Sequence, residues 1–596
     1  MSRFLLAVTF DPAGIALPPT TPPPTEKDAV YADAFLHVTA VNMHPMPRVH
    51  RLGKRVVVLC GHPAFQGRIH DAGALRHLQD NPDPLDFARG LNGSFLILLY
   101  DPRVPELKIM TDRFASRPFY YRVQGKRLLG SSSFTELFAR IEKPVLAPSA
   151  FFEFLYFRRL FGEKTYETES RFLPFASVLS AGDGSIRRYW HPTFTKSTLT
   201  LEKFATELSH RLRQSVALYQ SDERQYGLML SGGLDSRAIL AATMGKIVCF
   251  TNCPQRNNEY EVAAELTGIA GVPHHFIPRP VQYLNNRIDD AVYISGGMTN
   301  HTEAQFAGYE QDILPAAHAV FLGLALDIMF CGHYLPKAPW RILGTESCAF
   351  RLRGIDQDLA GQFMNSISYR LKTSDPWSIV RPERQQELRD KLRHSVEERL
   401  KLGRGFGAEG YDQWEFMHLH NFARHYSFQM AFSLHSYVDY RIPAMENDLY
   451  DLCLAMPVDY KVNWRAYQMA IRQLNPKMMR VRNANHNLPA DLSLWYATAM
   501  RWGRGAANRL FGPRWRSMPR NDDRSWPAAR DSIDMNPNIQ DMVRALPDSE
   551  PLAALGLFEM DRVRTMVGEH MTGQRDHCGL LNGLLTINRF LLAPGS

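Results

Sequence analysis

The run Ser-Gly-Gly-Leu-Asp-Ser at residues 231–236 has the composition of an anion-binding loop. Gly232 and Gly233 lack the side chains that would keep an anion away from the backbone. The two serines add hydroxyl donors, and Asp235 is a hard oxygen ligand that can hold Mg²⁺ against phosphate groups. The run does not have the Gly-x-x-x-x-Gly-Lys-Ser/Thr spacing of a Walker loop. It therefore predicts a nucleotide-phosphate site of another type.

The neighbouring residues predict the elements that position this run. Residues 228–230 form a short apolar strand, 237–242 are helix formers, and 247–250 form a second strand. An amphipathic helix precedes them, because apolar residues recur every four positions from Phe204 to Val216. Strand, helix and strand at this spacing predict a βαβ unit, whose first loop lies at the ligand-binding edge of a parallel sheet. A Gly-Gly pair alone is usually an ordinary helix cap, but the whole run in this setting favours a phosphate loop.

The first 190 residues have a different pattern, which predicts mostly β structure. Apolar runs of strand length lie at Phe4–Phe10, Val56–Leu59, Phe95–Tyr100, Leu107–Met110 and Leu128–Leu129. The proline-rich segment 18–24 predicts a surface loop, since proline cannot join a strand ladder. The last third of the chain is predicted to be mostly helical. We therefore predict two domains, residues 1–195 and 196–596.

Composition excludes several classes of protein. The chain has 596 residues, 45% hydrophobic and 22% charged, which is typical of a globular protein and not of a disordered chain or a coiled coil. The net charge of +8 suits an anionic ligand but is too diffuse to indicate a nucleic-acid partner. No apolar run reaches the roughly 20 residues of a membrane helix. Seven cysteines without a Cys-x-x-Cys pair favour a reducing, cytoplasmic location.

Several segments together resemble a known family. The run at 231–236 matches the pyrophosphate loop of the ATP pyrophosphatases, which cleave ATP to AMP and pyrophosphate. Four further segments resemble the asparagine synthetase and β-lactam synthetase family, and they lie at 92–121, 259–275, 323–332 and 441–446. The resemblance covers roughly residues 1–490.

This resemblance implies an α/β protein. Its N-terminal part would be an Ntn-type αββα sandwich, a degenerate glutaminase-like domain, followed by an ATP-pyrophosphatase domain with a parallel sheet and a helical C-terminal region. ATP and Mg²⁺ are the implied cofactors, with Asp235 and Asp327 as metal ligands and, together with Arg482, as catalytic residues. The residues implied to bind ATP are Leu230, Ser231, Gly232, Gly233, Asp235, Ser236, Phe250 and Gly323.

The sequence departs from the family at its reactive positions. Glutamine-hydrolysing members use an N-terminal cysteine, where this chain has Ser2, and their Asn-Gly-Glu segment is replaced by Cys60-Gly61-His62. A serine hydroxyl is a weaker nucleophile than a thiol, so we expect no ammonia production by the first domain. Leu324 stands where asparagine synthetase has Glu and β-lactam synthetase has a catalytic Tyr, and Ala484 replaces the Lys of an Arg-x-Lys motif.

These departures favour a third branch, the lasso-peptide cyclases. The resemblance then implies that a side-chain carboxylate of a peptide is adenylated and that the N-terminal amine of the peptide closes a macrolactam. A leader peptidase and a leader-binding protein are the implied partners, and the segments 340–410 and 495–596 could hold the peptide. Three alternatives stay open: an amidotransferase acting on a small acid, a β-lactam-synthetase-like cyclase, and a nucleotide-binding scaffold without catalysis.

Two other features are interpreted as structural. His418, His420 and His425 lie near Glu415 but lack the His-Glu-x-x-His spacing of a metal site. The Arg-rich, aromatic stretch 501–520 could bind an acidic peptide or RNA, although a solvated face is the more common role of such a stretch.

Overall fold

A computed structural model describes residues 5–14, 29–342, 344–366, 374–485, 487–511 and 527–593. Ser2 and the proline-rich segment 18–24 lie outside these residues. Of the stretch 501–520, the backbone is described up to residue 511, and the side chain of Trp502 is described, but not those of the arginines.

Two antiparallel sheets form the N-terminal part. The first has six strands in the order β11-β9-β10-β1-β3-β2, and the second has the order β13-β12-β8-β7-β5-β4 with β6 beside β5. The strands are β1 (Leu5–Phe10), β2 (Ala29–Ala32), β3 (Leu36–Val41), β4 (Arg48–Leu52), β5 (Arg55–Phe65), β6 (Arg68–Ile69), β7 (Asn92–Asp101), β8 (Glu106–Thr111), β9 (Tyr120–Gln124), β10 (Arg127–Ser131), β11 (Arg171–Phe172), β12 (Ser177–Ser180) and β13 (Ile186–Arg188). The helices are α1 (Asp71–Asp80), α2 (Pro84–Arg89), α3 (Phe134–Phe138) and α4 (Pro148–Phe157).

Alternation along the strands explains why the sheets stack. In β5, Val56 and Val58 belong to the core between the two sheets, whereas Val57 and Leu59 belong to the core on the other face, with α1 and α2. Helix α3 contacts β1, β9 and β10 of the first sheet. The layers therefore run helix, sheet, sheet, helix, and each sheet buries both faces. All five strands expected from the apolar runs are present.

A parallel sheet of five strands follows, in the order β16-β15-β14-β17-β20. Its strands are β14 (Tyr226–Met229), β15 (Val248–Cys253), β16 (His274–Pro278), β17 (Ala319–Phe321) and β20 (Asp439–Arg441). Its connecting helices are α5 (Leu201–Tyr219), α6 (Leu234–Ala242), α7 (Asn258–Ala270), α8 (Ile288–Ser295), α9 (Glu310–Ile313) and α10 (Leu326–Phe330). The predicted α/β class with a parallel sheet is confirmed.

The strand order of this sheet fixes where a ligand can bind. The chain runs from β14 through β15 to β16 on one side and then returns to β17 on the other side of β14. The connections that leave the ends of β14 and β17 therefore diverge, and they leave a crevice at the carboxyl edge of the sheet. The run 231–236 leaves β14 and the segment 322–327 leaves β17 at this point.

The remaining elements are mostly helices, as the sequence predicts. They comprise the hairpin β18 (Lys337–Ile342) and β19 (Thr345–Leu352), the pair β21 (Arg482–Asn483) and β22 (Leu488–Pro489), and the helices α11 (Leu359–Ser366), α12 (Pro382–Gly405), α13 (Tyr411–Leu419), α14 (Gln429–Leu434), α15 (Asn447–Ala455), α16 (Val458–Lys461), α17 (Arg465–Leu474), α18 (Pro476–Arg480), α19 (Leu494–Phe511), α20 (Asp531–Asp534), α21 (Pro537–Ala545), α22 (Glu550–Ala554), α23 (Met560–Met571) and α24 (Cys578–Leu591). Among the described residues, no helix has both the length and the apolar character needed to cross a membrane.

The C-terminal helix α24 packs back on the N-terminal part. The Phe590 ring stacks on Phe134 of α3, with centroids 5.8 Å apart, and also contacts Tyr166. One hydrophobic core cluster accordingly includes residues from both sides of position 195.

Candidate active site

The candidate phosphate loop, residues 231–236, is a tight turn that hydrogen bonds to its own serine hydroxyls stabilise. The Ser231 N–H donates to Ser236 Oγ at 2.9 Å, and the Gly233 N–H donates to Ser231 Oγ at 3.3 Å. The Gly232 N–H donates to Glu259 Oε1 at 2.9 Å, from the first turn of α7. The loop thus leads directly into α6, whose N-terminal end carries a partial positive charge.

Asp235 and Asp327 lie close together in the crevice at the carboxyl edge of the parallel sheet, between the ends of β14 and β17. This is the switch point of the sheet, where the chain changes direction across the strand order. Asp235 lies in the first turn of α6 and Asp327 in the first turn of α10. The Tyr467 hydroxyl donates to Asp235 Oδ1 at 3.0 Å, and the Asp327 backbone N–H also donates to this carboxylate. Burial raises the pKa of Asp235 well above its usual value, and the negative charge of Asp327 raises it further. The two carboxylates are therefore held together in a site that disfavours the charged form of Asp235.

Two glycines allow these loops to approach each other. A Cβ at Gly323 would lie 2.5 Å from the Ser236 nitrogen, and a Cβ at Gly232 would lie 2.3 Å from the Ala484 Cβ. Neither distance is compatible with a side chain. Gly323 therefore brings the end of β17 against α6, and Gly232 allows the loop at residue 484 to cover the phosphate loop.

A cavity of about 310 Å³ lies beside the two carboxylates. Seven of the predicted site residues contribute to its wall, which also contains aromatic and polar side chains from later in the chain. The predicted residues are Leu230, Ser231, Asp235, Ser236, Phe250, Gly323 and Asp327. The other lining residues are Met229, Thr251, Asn252, Glu259, Gln305, Phe306, Leu322, Leu324, Ala325, Ile328, His333, Tyr334, Tyr426, Ser427 and Met430.

Three predicted residues stand outside this wall. Gly232 and Gly233 lie in the loop behind it, and Arg482 lies at the start of β21. The Arg482 guanidinium is ion-paired with Glu261 of α7 and donates to Asn487 Oδ1 at 3.3 Å. The backbone near Arg482 is nonetheless tied to the loop, since the Ala484 N–H donates to the Gly232 carbonyl at 3.2 Å.

The donor set suits Mg²⁺ completed by a nucleotide. Asp235 and Asp327 supply hard oxygen ligands. Burial and, after it, the charge of Asp327 raise the pKa of Asp235, and a bound cation would favour its charged form. No group of three or more His, Cys, Asp and Glu side chains able to hold a metal occurs among the described residues. Mg²⁺ commonly binds one or two carboxylates together with phosphate oxygens and water.

Part of the chain is similar to a family of known proteins. Residues 207–479 match the sequence profile of the asparagine synthase family. This stretch, which is less than half of the chain, is similar to that family and includes the phosphate loop, both carboxylates and Tyr467.

Individual relatives are distant. A probable glutamine-hydrolysing asparagine synthetase of Acanthamoeba polyphaga mimivirus is 25% identical over 223 residues, which cover 34% of this chain and 38% of that protein. Among solved structures, the allosteric regulatory enzyme of purine biosynthesis matches 46% of this chain and 74% of its own, at 11% identity and a TM-score of 0.22. The glutamine phosphoribosylpyrophosphate amidotransferase of B. subtilis, complexed with ADP and GMP, covers 39% of this chain and 48% of its own, at 10% identity and a TM-score of 0.15.

The segment Cys60-Gly61-His62 is buried. Cys60 has no exposed surface, and burial raises the pKa of its thiol to about 12, so it is not a thiolate nucleophile. His62 contacts Asp439 on β20, with Nε2 2.6 Å from Oδ2. Through His62 this segment joins the sandwich to the parallel sheet.

Sequence reasoning missed several residues of the site. The sequence indicates Glu259 only as part of a family-like segment. No local pattern distinguishes Tyr334, Tyr426 or Tyr467 from core tyrosines. The three histidines and Glu415 do not form a metal site. Burial lowers the pKa of His418, His420 and His425 well below the usual value, and Glu415 is ion-paired with Lys461.

Proposed function

We propose that this protein is an ATP-dependent, AMP-forming amide ligase of the lasso-peptide cyclase type. It would adenylate an Asp or Glu side chain of a precursor peptide and close a macrolactam with the N-terminal amine of that peptide. Residues 1–195 would act as a degenerate Ntn-type, glutaminase-like scaffold, and residues 196–596 would carry the chemistry.

The charge of the cavity wall is the observation that favours a peptide carboxylate over a free amino acid as the substrate. Apart from two tyrosines, the ionisable residues that line the cavity are Asp235, Glu259, Asp327 and His333, and no Lys or Arg is among the described residues that line it. A free amino acid such as aspartate would bring an α-carboxylate into this wall without a cation to pair with, which is costly in a partly buried site. A peptide side chain brings only the carboxylate that is to be activated.

The size of the cavity supports the same choice. About 310 Å³ is at the lower end of small-molecule sites, so a bound nucleotide leaves little further room. The rest of a substrate must extend beyond the cavity, as a peptide does. A β-lactam precursor or another small acid would instead need an enclosed pocket of its own.

The first step is attack of the peptide carboxylate on the α-phosphorus of ATP, which forms an acyl-adenylate and expels pyrophosphate. Ser231 and Ser236 would donate to the pyrophosphate, and the N-terminal end of α6 would stabilise its charge. Asp235 and Asp327 would hold Mg²⁺, which neutralises phosphate charge when bound. Leu230, Phe250 and Gly323 would contact the nucleoside.

The second step is attack of the peptide amine on the acyl-adenylate. A peptide α-amine has a pKa of about 7.7–8.0, so part of it is neutral near pH 7.5 without a strong base. Holding the amine and the adenylate together can contribute roughly 7–11 kcal/mol to barrier lowering. The loss of the family's Glu or Tyr at Leu324 is compatible with such a reaction. A leader peptidase and a leader-binding protein would be the partners.

The test is product analysis with ATP, Mg²⁺ and a set of leaderless core peptides that carry an internal Asp or Glu. We expect AMP, pyrophosphate and a peptide lighter by one water in equal amounts, and none of them with Asp327→Ala. AMP with small acids and ammonia, but not with any peptide, would establish an amidotransferase instead. No AMP with any acceptor would favour the nucleotide-binding scaffold.

A further inference from the structure

The two-stranded sheet of β18 and β19 begins beside the cavity. Tyr334 lines the cavity, and β18 begins three residues later, at Lys337. Three residues span at most about 10 Å, so the start of β18 lies close to the cavity wall. Among the described residues, β18 and β19 pair only with each other, which gives each strand one outer edge. The backbone groups of an outer edge need a partner of another kind.

Side chains occupy the outer edge of β19. The Asn463 amide accepts the Phe350 N–H at 2.8 Å and donates to the Phe350 carbonyl at 3.0 Å, as a neighbouring strand would. The Thr498 hydroxyl, from α19, accepts the Cys348 N–H at 2.8 Å. This edge is therefore closed to a further strand.

The register shows which groups of β18 point outward. Phe350 lies opposite Pro339, and Glu346, whose carbonyl accepts the Trp502 indole N–H at 3.2 Å, lies opposite Arg341. In an antiparallel pair, two residues directly opposite each other either both point their backbone groups inward or both point them outward. The backbone groups of Phe350 and Glu346 are bound outside the pair. Those of Pro339 and Arg341 therefore point outward as well.

The outer edge of β18 has no such cover. Lys337 is two residues before Pro339 and so points its backbone groups the same way. Lys337 and Arg341 each present an N–H and a carbonyl, and Pro339 presents a carbonyl only. No hydrogen bond from the described part of the chain reaches these groups. We call the backbone groups of Lys337, Pro339 and Arg341 the open edge.

The side chains around the open edge suit a peptide with apolar and acidic residues. Trp340 and Ile342 are two positions apart, so they lie on one face of β18, and they are 44% and 40% exposed. The Arg351 guanidinium lies 5.5 Å from the centroid of the Trp340 ring. Residues 337–353 contain four Lys and Arg residues and one acidic residue. A peptide that carries Asp or Glu side chains complements this charge.

We propose that an extended segment of the peptide substrate pairs with the open edge as a third strand. This inference rests on the proposed function and adds to it the surface that holds the peptide outside the cavity. Hydrogen bonds to the open edge supply affinity, and Trp340 and Ile342 contact alternate side chains of the peptide. Because β18 begins beside the cavity, a peptide on this edge is led toward Asp235 and Asp327.

The first experiment compares two substitutions at one position of the open edge. Arg341→Ala and Arg341→Pro both remove the guanidinium, but only proline also removes the N–H. AMP formation by the full-length variants is measured against the concentrations of a leaderless core peptide and of ATP. We expect the peptide KM of Arg341→Pro to be about tenfold above that of Arg341→Ala, through the loss of a main-chain hydrogen bond. The KM for ATP should be the same in both, because none of the described cavity-lining residues belongs to β18.

N-methylation of the peptide tests the same edge without changing the protein. In a third strand, every second N–H of the peptide faces β18. Methyl groups at these alternate positions should raise the peptide KM about tenfold, and those at the positions between them should raise it much less.

The outcomes separate this inference from the proposed function. Equal peptide KM values for the two Arg341 variants would overturn the third strand, and so would a methylation effect without the two-residue period. A change of oligomeric state in Arg341→Pro, with an unchanged peptide KM, would assign the open edge to a second copy of this chain and overturn the inference. In all these cases the wild type still forms AMP with a peptide. No AMP with any peptide would overturn the proposed function, and this inference with it.

Discussion

His62 Nε2 lies 2.6 Å from Asp439 Oδ2, and each side chain is only 1% exposed. The contact joins β5 of the sandwich to β20, at the edge of the parallel sheet. Arg441 also binds the Asp439 carboxylate at 2.9 Å, and Arg117 donates to His62 Nδ1 at 3.2 Å. The segment Cys60-Gly61-His62 therefore anchors one sheet system to the other.

Asp439→Ala should strongly destabilise the protein. The carboxylate compensates the charges of Arg441 and Arg117, which are buried, and its removal leaves them without this partner. Breaking a buried ion pair from one side typically costs about 3–5 kcal/mol. Urea unfolding of wild type and variant measures this loss. Asp451→Ala is the control, because Asp451 is 47% exposed and pairs with Arg113, and such pairs contribute about 0–1 kcal/mol. Equal losses in both variants would contradict the anchoring role.

The thermal stability should fall steeply below pH 6.5. Burial lowers the pKa of His62 to about 3 and that of His301 to about 4, and it lowers the pKa values of His418, His420 and His435 well below the usual range. The unfolded chain binds protons at these residues below about pH 6.5 while the folded protein does not, so stability is present above that pH and is lost on acidification. Each such group contributes a slope of about 1.4 kcal/mol per pH unit. The pKa of Asp439 is held below its usual value, so protonation of this carboxylate lowers the stability further only below about pH 4.

Unfolding midpoints between pH 5 and 7.5 test this expectation. His301→Gln should reduce the slope of stability against pH by the contribution of about one proton, since His301 has no exposed surface. His394→Gln should not change it, because the His394 side chain is 73% exposed. A flat profile down to pH 5 would show that these histidines are protonated in the folded protein.

Much of the fold could be predicted because its signals are local. The four-residue repeat from Phe204 to Val216 predicted α5, and the strand-loop-helix pattern at 228–242 predicted the first βα unit. The hairpin of β18 and β19 was not predicted, because its strands mix exposed and half-buried residues and bury little apolar surface. The packing of α24 on α3 joins residues more than 400 positions apart, and no local pattern encodes such a contact.

Asp327→Asn should stabilise the Mg²⁺-free protein while it abolishes turnover. Burial and, after it, the charge of Asp327 raise the pKa of Asp235, and the variant removes the second of these causes. A repulsion of this kind is worth about 1.4 kcal/mol for each pKa unit that it contributes. The Ile328 N–H can still donate to the side-chain oxygen at position 327. We expect a higher melting temperature in EDTA and a loss of AMP formation of about 10²–10³-fold with Mg²⁺. Asp541→Asn, at a side chain 77% exposed, should change neither. A lower melting temperature would mean that the two carboxylates do not repel each other.

The sequence alone indicates only some of the residues of the candidate site. Asp235 and Asp327 belong to short motifs with a direct chemical meaning, and they lie at the switch point. Tyr467, which donates to Asp235, and Tyr426, which faces Tyr334, come from distant helical segments and reach the site through tertiary packing alone. Tyrosines are common in protein cores, so only the positions of these two in the fold distinguish them.

Gly323→Ala should damage both stability and nucleotide binding. The new Cβ would lie 2.5 Å from the Ser236 nitrogen and 2.7 Å from the Asp235 carbonyl carbon, so the end of β17 must move away from α6. Overpacking of this kind typically costs about 1–3 kcal/mol. Gly268→Ala is the matched control: it lies within α7 with no atom near its Cβ, so alanine should stabilise the helix by about 0.5–1 kcal/mol. Urea unfolding and calorimetric titration with a non-hydrolysable ATP analogue measure the two effects. Normal ATP binding by Gly323→Ala would contradict the close approach.

Arg482→Ala should slow AMP formation with little effect on stability. The Arg482 carbonyl accepts a hydrogen bond from the buried Arg237 at 2.8 Å, so its backbone is fixed beside the phosphate loop. Its side chain is 29% exposed and pairs with Glu261, which is 62% exposed, and such a pair contributes only about 0–1 kcal/mol. The guanidinium can therefore leave Glu261 for the departing pyrophosphate at small cost. We expect a loss of about tenfold in the rate of AMP formation. Glu261→Gln, which breaks the same ion pair but keeps the cation, should retain the wild-type rate. Equal losses in both variants would mean that Arg482 only ties β21 to α7.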